Sequence, residues 1–145
     1  MTMDPYNKAL TAPVWQRVLG GTGGEVPWEL LLSGTRRAAR AYFSLSQGQR
    51  SGMGEGLRRL AREKEEQFYV LAALYRLQWG RAPKLPPVPP EPREGPIPAL
   101  GRRYREETAL LTALEAAGGS EFQALARRVR ENRMAVLALL GRLEQ

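Results

Sequence analysis

The chain has 145 residues, of which 43% are apolar and 26% are charged; this composition suits one folded domain and indicates neither a disordered tail nor a membrane protein. It contains no cysteine, so disulfides, thiolate nucleophiles and cysteine-ligated metals are excluded. It contains no histidine either, which excludes every mechanism that uses imidazole as an acid, a base or a metal ligand.

The 22 lysines and arginines outnumber the 15 acids and give a net charge of +7 at pH 7. Such a charge suits nucleic acid, anionic lipid or an acidic protein as a partner, and it equally suits a compositional bias towards arginine. The first residues lack a basic and apolar leader, and no apolar run approaches the roughly 20 residues that cross a bilayer. We therefore expect a cytoplasmic protein that does not enter a membrane.

Glycine and proline divide the first half of the chain into an arm and two helices. Residues 1–26 include four glycines within positions 20–24, and this predicts an irregular N-terminal arm. A first helix is predicted over 27–46, because proline is favoured at the first helical position and apolar residues then recur at helical spacing. A second is predicted over 53–79, and Gly80 is expected to end it in the left-handed conformation.

The segment 81–98 contains eight prolines, which exclude a helix interior and a central strand. In an extended polyproline conformation, at about 3.1 Å per residue, it spans on the order of 40–55 Å. A helix of some 25 residues is about 38 Å long. The segment is therefore long enough to run the length of a bundle, and we predict a Pro-rich crossover rather than a tight turn.

Two further helices are predicted in the second half of the chain, at 99–117 and 120–143, and no strand-like alternation is present. We therefore predict an all-α fold, with a four-helix bundle over 27–145. The runs 70–77 and 136–143 are similar in sequence. This similarity indicates either a duplicated helical hairpin or chance resemblance between helices rich in leucine, alanine and arginine.

Two helical hairpins joined by one long crossover have the connectivity of ferritin-like bundles. The run Leu60–Leu77, followed by Trp79–Pro83, resembles the second helix and its exit in rubrerythrin-like members of that superfamily. The resemblance extends over about 27–143 and is most marked at the second helix. It implies a ferritin-like four-helix bundle with the Pro-rich crossover between helices 2 and 3.

The di-iron site of this family takes one glutamate from each of helices 1 and 3 and a Glu-x-x-His pair from each of helices 2 and 4. The resemblance places these ligands at Thr35 on helix 1, at Lys64 and Gln67 or Glu65 and Phe68 on helix 2, at Glu106 or Glu107 on helix 3, and at Arg130 and Arg133 or Glu131 and Met134 on helix 4. Histidine is absent from every register, and cations such as Lys64 or Arg133 would repel a metal ion. We therefore predict a degenerate bundle without a di-metal centre or other cofactor, and without ferroxidase, peroxidase or oxygenase activity.

Three interpretations of these positions remain open. Lys64 or Arg133 forms a buried ion pair with Glu107 or Glu65, which would constrain the helix register. Alternatively, these charges lie on solvated faces and pair along their own helices. In the third interpretation, Glu65, Glu107 and Glu131 form an all-carboxylate site for magnesium, calcium or manganese.

Arginine recurs in four clusters, at 36–40, 58–62, 102–105 and 127–133. Aligned on one surface, these clusters would follow a phosphate backbone, whereas the interleaved glutamates favour solvated faces and pairs between helices. We expect a non-enzymatic structural or protein-interaction module with a protein partner or a second copy of itself. A nucleic-acid-binding module and a metal-binding protein with the all-carboxylate site are the alternatives.

Overall fold

The computed structural model of the chain describes residues 25–143. These residues form four helices and no strand: α1 (Trp28–Ser46), α2 (Ser51–Trp79), α3 (Pro96–Ala117) and α4 (Ser120–Leu143). The all-α fold predicted from the sequence is thereby confirmed. The predicted N-terminal arm, 1–26, lies outside the described residues except for its last two.

Glycine and proline set the helix ends, as the local chemistry requires. Gly80 ends α2 with a φ of 73°, and its N–H donates to the carbonyl of Arg76 at 2.8 Å. Helix α3 begins at Pro96, three residues before the predicted start. A first-turn proline lacks only an N–H that has no partner within the helix, so the prolines here do not prevent helix formation. The first helical bond of α3 joins the Ala99 N–H to the Gly95 carbonyl at 3.1 Å.

The helices pack as two hairpins that face each other. The first hairpin consists of α1 and α2, and the second consists of α3 and α4. Across the interface between the hairpins, α1 contacts α3 and α2 contacts α4. Within the described residues, the apolar faces of all four helices therefore meet in one core.

Two apolar clusters form this core. The first contains the buried residues Trp28, Leu31, Leu32, Leu71, Leu74, Leu110, Leu111, Leu114, Ala117, Phe122, Leu125, Ala126 and Val129. The second contains Ala38, Tyr42, Leu57, Leu60, Ala61, Leu100, Val136 and Leu139. On α2, α3 and α4 a gap in sequence separates the two sets, and buried polar residues occupy that gap.

Residues 81–95, which join the hairpins, contain neither helix nor strand. The prolines at 86, 87 and 89 line a cavity of about 30 Å³ with Ser33, Arg36 and Arg37 of α1. Further along, residues 91–94 lie beside Ser44 and Leu45 at the end of α1. The connection therefore packs against α1, and none of the helices described is long and apolar enough to cross a bilayer.

Candidate functional site

Five buried polar side chains meet in the middle of the bundle: Tyr42 of α1, Lys64 and Gln67 of α2, Glu107 of α3 and Asn132 of α4. We refer to them as the central polar cluster. Each lies on the apolar face of its helix, so it is packed against the core rather than against solvent. Because a buried polar group without a partner is costly, the cluster is stable only if its members satisfy one another.

Glu107 is the acceptor at the centre of this cluster. The Lys64 Nζ donates to its Oε1 at 2.7 Å, and the Tyr42 hydroxyl donates to its Oε2 at 2.6 Å. Both carboxylate oxygens thus have a partner, and both bonds have the short lengths of charge-assisted hydrogen bonds. The ammonium of Lys64 is fully buried, at 0% exposure, so its loss of hydration offsets much of its attraction to Glu107.

Asn132 links this ion pair to the rest of the cluster. Its Oδ1 accepts from the Gln67 Nε2 at 2.6 Å and lies 3.4 Å from the Lys64 Nζ. Its Nδ2 donates to the Glu63 Oε1 at 2.9 Å, and Glu63 in turn pairs with Arg59 on the surface. Each bond within the cluster, and the bond to Glu63, joins the first hairpin to the second.

Burial changes the acid–base behaviour of two members. Loss of hydration lowers the pKa of the Lys64 ammonium, and the neighbouring Glu107 carboxylate opposes that change. Burial likewise raises the pKa of the Tyr42 phenol well above its ordinary value, and the negative charge of Glu107 raises it further. Tyr42 is therefore held as a neutral donor.

The structure places four of the predicted ligand positions in the core. Thr35, Lys64, Gln67 and Glu107 are each at most 3% exposed, and the last three belong to the central polar cluster. Of the open interpretations, the structure shows the buried ion pair, in the combination Lys64–Glu107. Glu106, the alternative to Glu107, is half-buried and pairs with Arg103 at 3.0 Å.

On α4 the residues of neither expected register are buried in the core. Arg130 is exposed and pairs with Glu115 at 2.7 Å. Arg133 is half-buried, with its guanidinium 5.5 Å from the centre of the Tyr104 ring. The positions that face the core are Val129 and Asn132.

Asn132 was missed from the sequence although a signal was present. The apolar stripe of α4 runs through Phe122, Leu125, Val129 and Val136, and position 132 falls on the same face. A polar residue on an apolar stripe is a candidate for a buried hydrogen bond. The role of Tyr42 was also missed, because the apolar spacing of α1 already accounts for its burial.

The carboxylates of the all-carboxylate alternative do not come together. Glu65 and Glu131 are exposed, and Glu107 is buried in the core. The partner positions of Glu65 and Glu131 in the expected pattern do not lie at the centre either, because Phe68 is half-buried and Met134 is 60% exposed. Residues 25–143 contain no group of three or more acidic side chains that would hold a metal ion.

The residues at the centre do not fit the di-iron group that a ferritin-like fold implies. Of the four carboxylates in the family pattern, only Glu107 is present, and an ammonium already lies 2.7 Å from its Oε1. A divalent cation at that point would meet a like charge in a poorly solvated core.

The arginines of the two hairpins differ in whether they form ion pairs. On the second hairpin four arginines form ion pairs: Arg102 pairs with Glu94, Arg103 with Glu106, Arg128 with Glu66 and Arg130 with Glu115. In contrast, Arg36 and Arg40 of α1 and Arg58 and Arg62 of α2 line an open groove of about 730 Å³, which we call the α1–α2 groove. Within residues 25–143 none of these four arginines forms an ion pair.

Comparison of the chain with profiles of known protein families, with curated protein sequences and with solved structures finds no match.

Proposed function

We propose that the chain is a ferritin-like four-helix bundle in which a buried ion pair stands in place of the two metals, and that it acts without catalysis as a structural or protein-interaction module. The observation that carries the proposal is the contact of 2.7 Å between the Lys64 Nζ and the Glu107 Oε1. An ammonium fixed at this point supplies the positive charge that the remaining carboxylate requires.

The directions of the helices support the ferritin-like connectivity. The Trp28 Nε1 at the start of α1 donates to the Gln78 Oε1 near the end of α2 at 2.8 Å. At the opposite end of α1, Ser44 and Leu45 lie beside Pro96, the first residue of α3. The connection 81–95 therefore starts at one end of α1 and finishes at the other, which is the course of a crossover.

The spacing of the core positions supports the same assignment. The family pattern has one ligand on each of helices 1 and 3 and a pair three residues apart on each of helices 2 and 4. The corresponding buried positions are Thr35, Lys64, Gln67, Glu107, Val129 and Asn132, each at most 3% exposed. If the α4 pair is taken as Val129 and Asn132, one residue before the expected Arg130 and Arg133, six buried positions have the spacing of the family pattern.

A role without catalysis is supported by what the cluster contains. Its only amine is fully buried and hydrogen-bonded, so a substrate has no access to it as a nucleophile or base. Both oxygens of its only carboxylate are occupied by donors from the protein. The groups exposed for recognition are instead on the helix surfaces, where Phe43, Tyr69 and Leu77 are each more than half exposed.

A change of ligands tests the proposal. The variant Thr35→Glu, Lys64→Glu, Gln67→His, Val129→Glu and Asn132→His rebuilds the family pattern around Glu107. We expect the unaltered protein to be free of stoichiometric metal by elemental analysis and the variant to bind two cobalt ions per chain, with the visible absorption of ligated Co²⁺. Circular dichroism checks that the variant is helical.

The matched control moves the α4 pair by one residue, with Arg130→Glu and Arg133→His in place of the changes at 129 and 132. We expect this control to bind no second cobalt ion, because Arg130 is exposed and Arg133 lies beside Tyr104 rather than in the central polar cluster. Stoichiometric iron or manganese in the unaltered protein would overturn the proposal. Equal cobalt binding by the control would overturn the ferritin-like register.

A nucleic-acid-binding module is the second candidate. The observation in its favour is the α1–α2 groove, where arginines occur beside the exposed rings of Phe43 and Tyr69. Single-stranded nucleic acids bind to basic grooves that offer aromatic rings for stacking. A gel shift with single-stranded DNA tests this candidate, which requires an affinity that falls steeply as salt rises.

A further inference from the structure

The floor of the α1–α2 groove is apolar, and its side chains include two alanines. Ala39 of α1 and Ala61 of α2 line it, together with the half-buried ring of Phe68. Small side chains on two neighbouring helices allow a third helix to approach at the 8–10 Å that is usual between packed helices. The rings of Phe43 and Tyr69, which are 55% and 68% exposed, offer apolar surface beside this floor.

The apolar surface continues along α2 beyond the groove. Tyr69, Ala73 and Leu77 are exposed and lie four residues apart, so they form one stripe on the outer face of the helix. From Arg58 to Leu77 the surface extends for about 28 Å, at 1.5 Å per residue. This length matches a partner helix of about 19 residues.

The charge within the α1–α2 groove is mostly positive. Arg36, Arg40, Arg58 and Arg62 line the groove against a single acid, Glu65. As noted above, none of the four is in an ion pair within the described part of the chain. Arginines of this kind attract and orient carboxylates on a partner, because the guanidinium presents several donors in a fixed plane.

We propose that the α1–α2 groove and the Tyr69–Leu77 stripe bind an amphipathic helix of another protein, with an apolar inner face and glutamates or aspartates along its edges. This inference rests on the proposed function of the chain as an interaction module and names the partner's chemistry. A second copy of the chain is disfavoured, because its own charge of +7 would meet the arginines of the groove. A single nucleic-acid strand would use the arginines of the groove but would leave the exposed apolar side chains of Ala73 and Leu77 without a partner.

The test uses the full chain and a fluorescein-labelled 19-residue peptide, with leucines at helical spacing on one face and glutamates on both flanks. Binding is measured by fluorescence anisotropy at moderate salt. The matched peptide has every glutamate replaced by lysine. We expect the acidic peptide to bind and the lysine peptide to bind at least about tenfold more weakly, because it brings like charges to the groove.

Variants locate the binding surface. Arg40→Glu, Arg62→Glu and Tyr69→Ala are each expected to weaken binding of the acidic peptide about tenfold or more, as for contacts that contribute strongly to an interface. The matched variants on α4, Arg127→Glu and Met134→Ala, change equally exposed side chains away from the groove and are expected to leave binding unchanged.

Four outcomes overturn the inference. The first is absence of peptide binding, and the second is equal loss of binding in the α4 variants. The third is tighter binding of a 20-nucleotide thymidine strand, lost in Arg40→Glu, which assigns the groove to nucleic acid. The fourth is a dimer in light scattering that Tyr69→Ala dissociates, which assigns it to a second copy. Each leaves the metal-free centre of the proposed function intact, whereas stoichiometric metal overturns that function whatever the peptide does.

Discussion

The centre of the bundle and the α1–α2 groove treat positive charge in opposite ways. Lys64 is removed from water and paired with Glu107, whereas Arg40 and Arg62 line an open groove without an acidic partner in the described structure. A buried ammonium that loses its partner keeps the cost of its lost hydration with no ion pair to offset it. An arginine in contact with water has kept its hydration and carries no such cost. One charge is therefore committed to the fold, whereas the others remain in contact with solvent.

The sharpest way to break the centre is to remove its acceptor. Glu107→Leu leaves the Lys64 ammonium buried without a counter-charge, and we expect it to lower the free energy of unfolding by about 3–5 kcal/mol. Urea denaturation followed by circular dichroism measures the change. In the double variant Lys64→Met and Glu107→Leu, most of this stability should return, because neither charge of the pair remains in the core. A double variant as unstable as the single one would contradict the role assigned to the ion pair.

Loss of Asn132 should have the next largest effect. Asn132→Leu removes the acceptor of the Gln67 amide and a neighbour of the Lys64 ammonium, and we expect a cost of about 1–3 kcal/mol in unfolding free energy. The control is Arg130→Leu, which breaks only the exposed pair with Glu115 and should cost less than about 1 kcal/mol. If the arginine variant proved the more damaging, the register of α4 described above would be wrong.

Alkaline pH should separate the contributions of Tyr42 and Lys64. The raised pKa of Tyr42 means that its stabilising contribution is complete below pH 10, its ordinary pKa, and is lost as the pH rises above it. The lowered pKa of Lys64 acts in the opposite direction. Below pH 10.5, its ordinary pKa, the unfolded state binds the Lys64 proton more tightly than the folded state does. The contribution of Lys64 to stability therefore rises with pH up to 10.5.

Two variants isolate these changes of stability with pH. For either group the change does not exceed about 1.4 kcal/mol per pH unit. The stability of the unaltered protein relative to Tyr42→Phe should fall above pH 10. Its stability relative to Lys64→Met should rise as pH 10.5 is approached. Denaturant melts across the alkaline range measure both differences, and parallel curves for all three proteins would show that neither group titrates differently on folding.

The smallest expected effect on stability belongs to the groove. Arg40→Gln and Arg62→Gln remove exposed charges without a partner in the described structure, so each should change the unfolding free energy by less than about 0.5 kcal/mol. The same variants are expected to weaken binding of the acidic peptide. Thermal melts measure the stability of each variant, and the anisotropy titration measures its peptide binding. A loss of stability equal to that of Glu107→Leu would contradict the distinction between the centre of the bundle and the α1–α2 groove.

The helices could be predicted closely because their ends depend on local chemistry. Gly80 ends α2 in the left-handed conformation, as its position after an apolar stripe indicates. The start of α3 was predicted three residues late, because Pro96 was counted with the linker although a proline is accepted in a first turn. Such errors concern single turns and leave the number and order of helices unchanged.

The central polar cluster could be predicted only in part. Lys64 and Glu107 were among the candidates, but so were Glu65 and Arg133, which the structure places elsewhere. The periodicity of one helix does not determine how it is rotated against three others, and that rotation decides which of two adjacent residues faces the core. For the same reason the sequence did not distinguish the arginines that find partners from those that line the groove.

The bonds between the hairpins also determine which partner each hairpin accepts. Two copies of the first hairpin, facing each other, would bring two Lys64 ammonium groups together without a carboxylate between them. Two copies of the second would bury two Glu107 carboxylates side by side. Only the unlike combination pairs the ammonium with the carboxylate, so the cluster favours packing between unlike hairpins over packing between like hairpins.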